Sequence, residues 1–410
     1  MHPDCPPEPV DVLDLGERHA LSIASEHGTL SAMPLVATGD GHWRRAIAGS
    51  GAADALVRLL VETPGRSQRG RFSVMSWTNR YAPGAERAIT VDQTNESVIV
   101  GEQAVVKWAT HLEPGPHPAP GRLSTLIAAG FTAMPTPWGV VTWKPESGPE
   151  TLVVMVTGYL PGAVDGWTWA VEMFIAAAGS GDFSAASAAC RTLGDVVADM
   201  HIGLAVTATR STRADARRWR DNAFATLARA RTLASPAAAA LLTCHDATLA
   251  AVLERLADLT DVPILDAHGD LHVGQVLRVG DRLVVTDFDG NPVVNPAERV
   301  LPVPAAVDLA GILQSLSHVA VVAAKHAELA PNTLGALDKA ARAALLEAYL
   351  GRLRQAGQAD LHIEAAVPAL RLQQVLREIV YAAHHLPRWM YVPDAALPAL
   401  IPELIDESSR

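Results

Sequence analysis

The chain has 410 residues, 49% of them hydrophobic, and a net charge of −11 with only 33 lysines and arginines. That is too much apolar material for a disordered chain or one small core, and enough for two or three packed units. The acidic balance lacks the basic footprint that binding to nucleic acid leaves, and it suits a small neutral or cationic ligand.

The opening Met1-His-Pro-Asp-Cys-Pro-Pro-Glu-Pro9 has acids and prolines where a signal peptide needs a basic start and an apolar run, so no export is expected. Cys5, Cys190 and Cys244 are far apart, odd in number and without metal-ligand spacing. They read as reduced thiols of a cytoplasmic protein. Residues 1–88 mix short apolar runs with the turn signals Gly39-Asp-Gly-His42, Pro64-Gly-Arg66 and Pro83-Gly84 and predict a small α+β unit.

Over 89–160 the β-branched runs Ser97–Val100, Ala104–Lys107, Gly139–Thr142 and Leu152–Val156 predict antiparallel strands, the first two joined across Gly101-Glu-Gln103. Over 161–410 apolar periodicity predicts helices at 193–204, 214–233, 237–259, 309–321, 340–353 and 365–384. The alanine-rich stretches 236–253 and 319–330 are interrupted by Cys244-His-Asp246 and Lys325-His-Ala-Glu328, well short of a membrane span. The arginine-rich helix 213–231 reads as a solvated face. One strand-rich island interrupts the helices: Pro263–Leu265, Gln275–Arg278 and Arg282–Asp287, with acids at the strand ends. A β-rich unit hinged to a helical one is a common way to build a ligand cleft.

Phosphoryl transfer needs a divalent ion on the phosphates, a lysine for their charge and a carboxylate near the attacking hydroxyl. The segment His268-Gly-Asp270-Leu-His-Val-Gly-Gln275, followed by Thr286-Asp287-Phe-Asp289, supplies oxygen ligands and a base. Asp270 is expected to orient and deprotonate the acceptor. Gln275 and Asp287 are expected to hold Mg²⁺, with Asp289 as a further ligand. A lone aspartate in a loop is usually a turn residue; several at this spacing are not. His268 and His272 lack a third zinc ligand nearby, and fixing the loop by hydrogen bonds is their expected role. Lys107 ends a strand and is the candidate for the α- and β-phosphates of ATP, under a lid at Thr94-Asn95-Glu-Ser97.

Together His268–Gln275, Asp287-Phe-Asp-Gly290 and Asp308-Leu-Ala-Gly311 resemble the bacterial maltokinases, members of the aminoglycoside-phosphotransferase-like kinases. The likeness runs from Asp92 to Pro398 and takes in Asp92-Gln-Thr-Asn-Glu-Ser97, Lys107, Asp165-Gly-Trp167, Leu193-Gly194 and Met200-His201. It implies an α+β, bilobal, protein-kinase-like fold: a cap over 1–88, a β-rich ATP-binding subdomain over 89–160 and a mainly helical lobe over 161–410. The adenine pocket is implied at Met155 to Thr157. Two positions depart from the pattern. The stretch His117-Pro-Ala-Pro-Gly121 has no acid to pair with Lys107, and Val307 stands where an arginine is usual.

Gln374, Glu378, Tyr381, Trp389 and Tyr391-Val-Pro-Asp394 are similar to the actinobacterial glucosamine kinases related to maltokinase. Gln374, Glu378 and Tyr381 fall at i, i+4 and i+7 on one helix face. Loss of a maltokinase lysine before the glutamate suits a sugar bearing an ammonium group, and a tryptophan ring stacks on a pyranose. The resemblance therefore implies ATP:glucosamine 6-phosphotransfer by a monomer, with the acceptor lined by Asp270, His272, Gln374, Glu378, Tyr381, Trp389 and Asp394. A maltokinase, an aminoglycoside phosphotransferase and a nucleotide-binding regulator without turnover remain the rival readings.

Overall fold

The computed structural model describes residues 9–16, 18–26, 28–81, 83–89, 96–113 and 115–408; Cys5 and the expected lid residues Asp92–Asn95 lie outside them. The chain divides into two compact units. One gathers Met1–Ile127, Met134–Gly162 and Val294–Val300, and the other Ala128–Ala133, Ala163–Val293 and Leu301–Arg410. The α+β composition expected from sequence is the one the chain adopts, with one unit β-rich and the other mainly helical.

In the β-rich unit, β1 (Pro9–Asp14), β2 (His19–Glu26), β3 (Thr29–Ala37) and β4 (Trp43–Arg45) form an antiparallel meander. Helix α1 (Ala52–Glu62) follows, then β5 (Gly65–Arg69), β6 (Phe72–Ser76), β7 (Glu86–Ala88), β8 (Glu96–Val100), β9 (Ala104–Trp108), α2 (Ala119–Ala128), β10 (Pro137–Trp143) and β11 (Thr151–Gly158). Strands β5 to β11 make one seven-stranded sheet in the order β5-β6-β10-β11-β9-β8-β7. The expected boundary at residue 88 therefore runs through a sheet that takes β5, β6 and β7 from one side of it and β8 to β11 from the other. Turn residues mark chain reversals, and hydrogen bonds between distant strands cross them unseen.

Alternation in β8, β9 and β11 sends Val98, Val100, Val106, Trp108, Val154 and Val156 into a core shared with Leu56 and Leu60 of α1. The N-terminus of α1 is closed by a distant group: the Glu86 carboxylate of β7 accepts from the N–H groups of Gly49, Gly51 and Asp54. A carboxylate there meets the helix dipole as well as the orphan donors. The β8–β9 turn has Gly101 and Glu102 at φ 57° and 53°, the left-handed pair that a tight hairpin of this twist requires.

The helical unit contains α3 (Gly166–Ser180), α4 (Ser184–Leu204), β12 (Thr209–Arg210), α5 (Arg213–Leu233), α6 (Pro236–Cys244), α7 (Asp246–Glu254), β13 (Pro263–Ile264), β14 (Val276–Val279) and β15 (Arg282–Val285). After α8 (Pro296–Arg299), which belongs to the β-rich unit, come α9 (Ala306–His326), α10 (Pro331–Gln355), α11 (Val367–His385) and α12 (Tyr391–Ser408). The single helix expected over 237–259 is broken at His245 into α6 and α7, which bend by 71°. Ser235 at the N-cap and Pro236 at the first turn start α6 as the sequence implies. The break lets Leu242 and Leu249, Val252 and Leu253 enter one core with Leu372, Val375, Leu376 and Ile379 of α11.

Helix α9 is the one described helix long and apolar enough to cross a bilayer, and 78% of its apolar window is buried among the other elements. Its Gly311 touches the backbone of the loop after β13: a β-carbon there would stand 2.3 Å from the Leu271 carbonyl oxygen. Gly166, the first residue of α3, meets the same loop, with the Val273 oxygen 1.7 Å from where its β-carbon would be. Both helices approach a loop that only glycine admits. Gly311→Ala is expected to cost about 1–3 kcal/mol of overpacking strain. Gly335→Ala, with open space around it on α10, is expected to gain about 0.5–1 kcal/mol. Denaturant midpoints shifting in opposite directions would support this; parallel shifts would refute it.

Candidate active site

The loop from Leu265 to Gln275 leaves the sheet at Leu265, whose N–H and carbonyl both bond Val303. Its tip is held by one carboxylate. Asp308, in the first turn of α9 and 0% exposed, accepts the His268 N–H at 2.8 Å and the Gly269 N–H at 2.7 Å. Gly269 sits at φ 81°, which turns its N–H toward that carboxylate. Asp308 also accepts from His201 Nε2 of α4 at 3.1 Å, and His201 Nδ1 meets the Tyr349 hydroxyl of α10 at 2.9 Å. Burial alone would raise the Asp308 pKa. The donors from His201, the charge of the two histidines and the Gly269 N–H outweigh it and hold the carboxyl below its usual range.

The loop is tied to the hairpin that follows. The His268 Nε2–H donates to the Thr286 carbonyl at 2.9 Å, and the Thr286 N–H donates to the Gln275 carbonyl at 2.8 Å. These bonds bring Gln275 beside Asp287, whose Oδ2 accepts from Gln275 Nε2 at 3.3 Å. Asp287 stands at φ 64°, rare for a residue with a side chain and a form of strain that functional sites tolerate. Asp289 follows Phe288, whose ring packs against His268 at 5.1 Å. Asp270 is pushed up to about 8, first by burial and then by the negative charge of Asp287, against the pull of Arg377. Among the described residues no three His, Cys, Asp or Glu side chains gather as a metal cage.

Both loop histidines bond the loop. His272 Nδ1 accepts from the Gly274 N–H at 3.0 Å, and burial holds the ring neutral by lowering its pKa to about 4. A neutral ring with Nδ1 accepting carries its proton on Nε2. Trp167 lies 6.3 Å from the His272 ring and packs edge-on against Trp389 at 4.9 Å, and Trp389 in turn meets Tyr391. The aromatic row thus joins α3, the loop and the turn before α12.

On α11, Gln374 Nε2 donates to Glu378 Oε1 at 3.1 Å, and His318 Nδ1 of α9 lies 3.1 Å from Glu378 Oε2. Burial would raise Glu378, but His318 and Gln374 prevail and lower it. Tyr381 shares that helix face but is 40% exposed, with its ring on His385 instead. Asp394 accepts from the Ser235 hydroxyl at 2.9 Å, at the N-cap of α6. Arg377, directly before Glu378, is buried and its charge acts on Asp270, so a cation stands beside that carboxyl. Arg371, on the same helix as Glu378, is buried and bonded to Gln314 and Glu403. His318 was not legible in the sequence: only burial beside Glu378 distinguishes it.

In the β-rich unit, Ser97 is opposite Lys107 and Lys107 is opposite Met155 across β8, β9 and β11. Directly opposed residues share a face, and Thr157 shares it two residues beyond Met155. This is the face turned away from the α1 core. Asn95 lies outside the described residues. Helix α2, Ala-Pro-Gly-Arg-Leu-Ser-Thr-Leu-Ile-Ala, contributes no acid.

No protein-family model matches the chain. It is 54% identical over 397 residues to a glucosamine kinase of Mycolicibacterium smegmatis, covering 96% of this chain and 98% of that one. Against a glucosamine kinase of Streptacidiphilus jiangxiensis it is 40% identical over 404 residues, covering 97% and 92%. A solved glucosamine kinase in complex with glucosamine, ADP and inorganic phosphate matches with a TM-score of 0.85 and 37% identity over 98% of this chain and 96% of the other.

Proposed function

The chain belongs to the glucosamine kinase family, and from that premise we propose that it transfers the γ-phosphate of ATP to O6 of D-glucosamine, giving glucosamine 6-phosphate and ADP. The observation that carries this reading is the pair of buried carboxyls in one unit: Asp270 on the loop, raised to about 8 as a proton acceptor of matched strength, and Glu378, held below the usual carboxylate range although buried. One suits a hydroxyl and the other an ammonium.

Asp270 takes the O6 proton as O6 bonds to the γ-phosphorus and the bond to the β-phosphate oxygen breaks. His272 offers its Nε2–H to a sugar hydroxyl. Glu378, oriented by Gln374, receives the ammonium, with Trp389 against the pyranose face. Asp394 and Tyr381 complete the rim. Lys107 and Ser97, with Asn95, hold the phosphates, and the strand from Met155 to Thr157 takes the adenine. Gln275 and Asp287 are a hard oxygen pair that fits Mg²⁺, which keeps phosphate and water ligands and needs few from protein. With Nε2 engaged by Asp287, Gln275 has Oε1 left for the ion, and Asp289 adds a carboxylate. Bound there, Mg²⁺ would neutralise charge on the transferring phosphate. We read the enzyme as a monomer and place it in the cytoplasm, the latter in keeping with Cys190 and Cys244 being free thiols.

An ADP-release assay over glucosamine, glucose, maltose and aminoglycosides tests the reading. Glucosamine is expected to be the preferred acceptor. Glu378→Gln is expected to raise the glucosamine KM about tenfold or more by removing a charge-assisted hydrogen bond, with the ATP KM within about twofold. Turnover of maltose with glucosamine ignored would select the maltokinase alternative.

A further inference from the structure

Behind Glu378 a chain of buried polar groups runs across α9, α11 and α12. Arg371 Nε donates to Gln314 Oε1 at 3.1 Å, and Gln314 Nε2 faces His318 Nε2 at 3.1 Å. His318 Nδ1 then faces Glu378 Oε2 at 3.1 Å. Gln314 is 1% exposed and His318 0%, so water does not replace these partners.

The order of donors along this chain has one solution. An arginine Nε only donates, so the Gln314 oxygen must face it and the Gln314 NH₂ must face His318. His318 Nε2 is thereby required to accept. A neutral imidazole with Nε2 accepting has its hydrogen on Nδ1, the atom beside Glu378. A second proton on Nε2 would set two donors against each other in a buried place.

The charges are arranged to the same end. At the far end Arg371 bonds Glu403 at 2.6 Å, and Arg342 bonds both Glu403 and Asp338. Two arginines there meet two carboxylates, Gln314 is uncharged, and Gln374 donates to Glu378 whatever the state of His318. The remaining negative charge of the chain is at Glu378. His318 Nδ1 lies 3.1 Å from Glu378 Oε2 without completing a hydrogen bond, so that buried oxygen keeps a lone pair for another donor.

We propose that Gln314, locked by Arg371, dictates the Nδ1–H tautomer of His318 and so presents Glu378 as an unneutralised anion, making Gln314 and His318 positioning residues for amino-sugar selectivity. The proposal rests on Glu378 receiving the ammonium. Were His318 an imidazolium, it would pair Glu378 before the substrate arrived, and a neutral sugar would compete more evenly.

The test uses the full chain labelled with ¹⁵N, with the His318 ring signals identified by their loss in His318→Asn. In the parent, Nδ1 is expected to resonate as a protonated nitrogen and Nε2 as an unprotonated one. Gln314→Glu replaces the donor by an acceptor and is expected to put a second proton on His318. It should raise the glucosamine KM about tenfold, the scale of a weakened charge-assisted bond, with kcat and the ATP KM within about twofold. His318→Asn, whose amide nitrogen stands in for Nδ1–H, is expected to keep the glucosamine KM within about threefold of the parent.

An Nε2–H tautomer or an imidazolium in the parent overturns the proposal, and that reading needs no variant to fold. So does an imidazolium in Gln314→Glu with an unchanged glucosamine KM. Glu378→Gln separates the two levels. If it leaves the glucosamine KM unchanged, the assignment of Glu378 falls and the relay with it. If it raises that KM while Gln314→Glu does not, the relay alone falls.

Discussion

Asp270→Asn is expected to lower kcat by about 10³-fold, within the range that general bases contribute, and at the same time to raise the thermal midpoint. The two effects share a cause. Asp270 is pushed from 3.8 up to about 8, first by burial and next by the charge of Asp287. Below pH 3.8 folded and unfolded chains both hold the proton, and Asp270 contributes nothing to the pH dependence. Between 3.8 and about 8 the folded chain holds a proton that the unfolded chain has released, so stability falls as pH rises through this window. Asparagine cannot ionise and escapes the loss. Calorimetry without divalent ions should show the variant more stable than the parent at pH 8, with the gap closing toward pH 3.

The same shift gives a sign for activity. A proton acceptor must be a carboxylate, so turnover rises with pH. A divalent cation beside Asp287 offsets the charge that raises Asp270, and increasing Mg²⁺ is expected to move the rising limb to lower pH. A limb indifferent to Mg²⁺ would contradict this electrostatic account.

The identical chemical change at Asp308 is expected to have the opposite effect on stability. Its two oxygens accept from the His268 N–H, the Gly269 N–H and His201 Nε2, all in a buried place. In Asp308→Asn an NH₂ replaces one oxygen and faces at least one of those donors. Breaking such a buried, charge-assisted set costs about 3–5 kcal/mol. The loop tip carries Asp270, and misplacing a reacting group by about 1 Å costs about 10²-fold in rate. Asp308→Asn should therefore lower the denaturant midpoint and kcat together, with the ATP KM little changed. Because its carboxyl is held below the usual range, the Asp308 contribution is present at neutral pH and lost as pH falls through its folded value. Equal shifts in Tm for Asp270→Asn and Asp308→Asn would refute the distinction between a residue the fold tolerates and one it needs.

Much of the β-rich unit was legible because strand alternation is local. Val98, Val106 and Val154 go to the core, so Ser97, Lys107 and Met155 share the other face, and register then aligned them across three strands. The closure of α1 by Glu86 was not legible, since the cap comes from a strand beyond two others. The helix expected over 237–259 failed for a related reason. Apolar periodicity continues through His245, but the two halves bury their leucines in directions one straight helix cannot serve.

The candidate site divides in the same way. His268 to Asp289 lies on one loop and one hairpin, so residue type and spacing were enough to bring Gln275 to Asp287 and to mark Asp270. By itself the sequence determined the strands over 89–160, the helical content of the second unit, the candidate segment from His268 to Asp289 and its likeness to sugar kinases. The tertiary structure alone decided that Asp308 clamps the segment with His201, 107 residues away, that Arg377 keeps a cation beside Asp270, and that His318 and Gln314 stand behind Glu378. The reason is physical. Spacing along the chain reports which residues share a turn or a face. Burial, hydrogen-bond partners and the pKa values they shift depend on which faces meet, and those partners are distant in sequence.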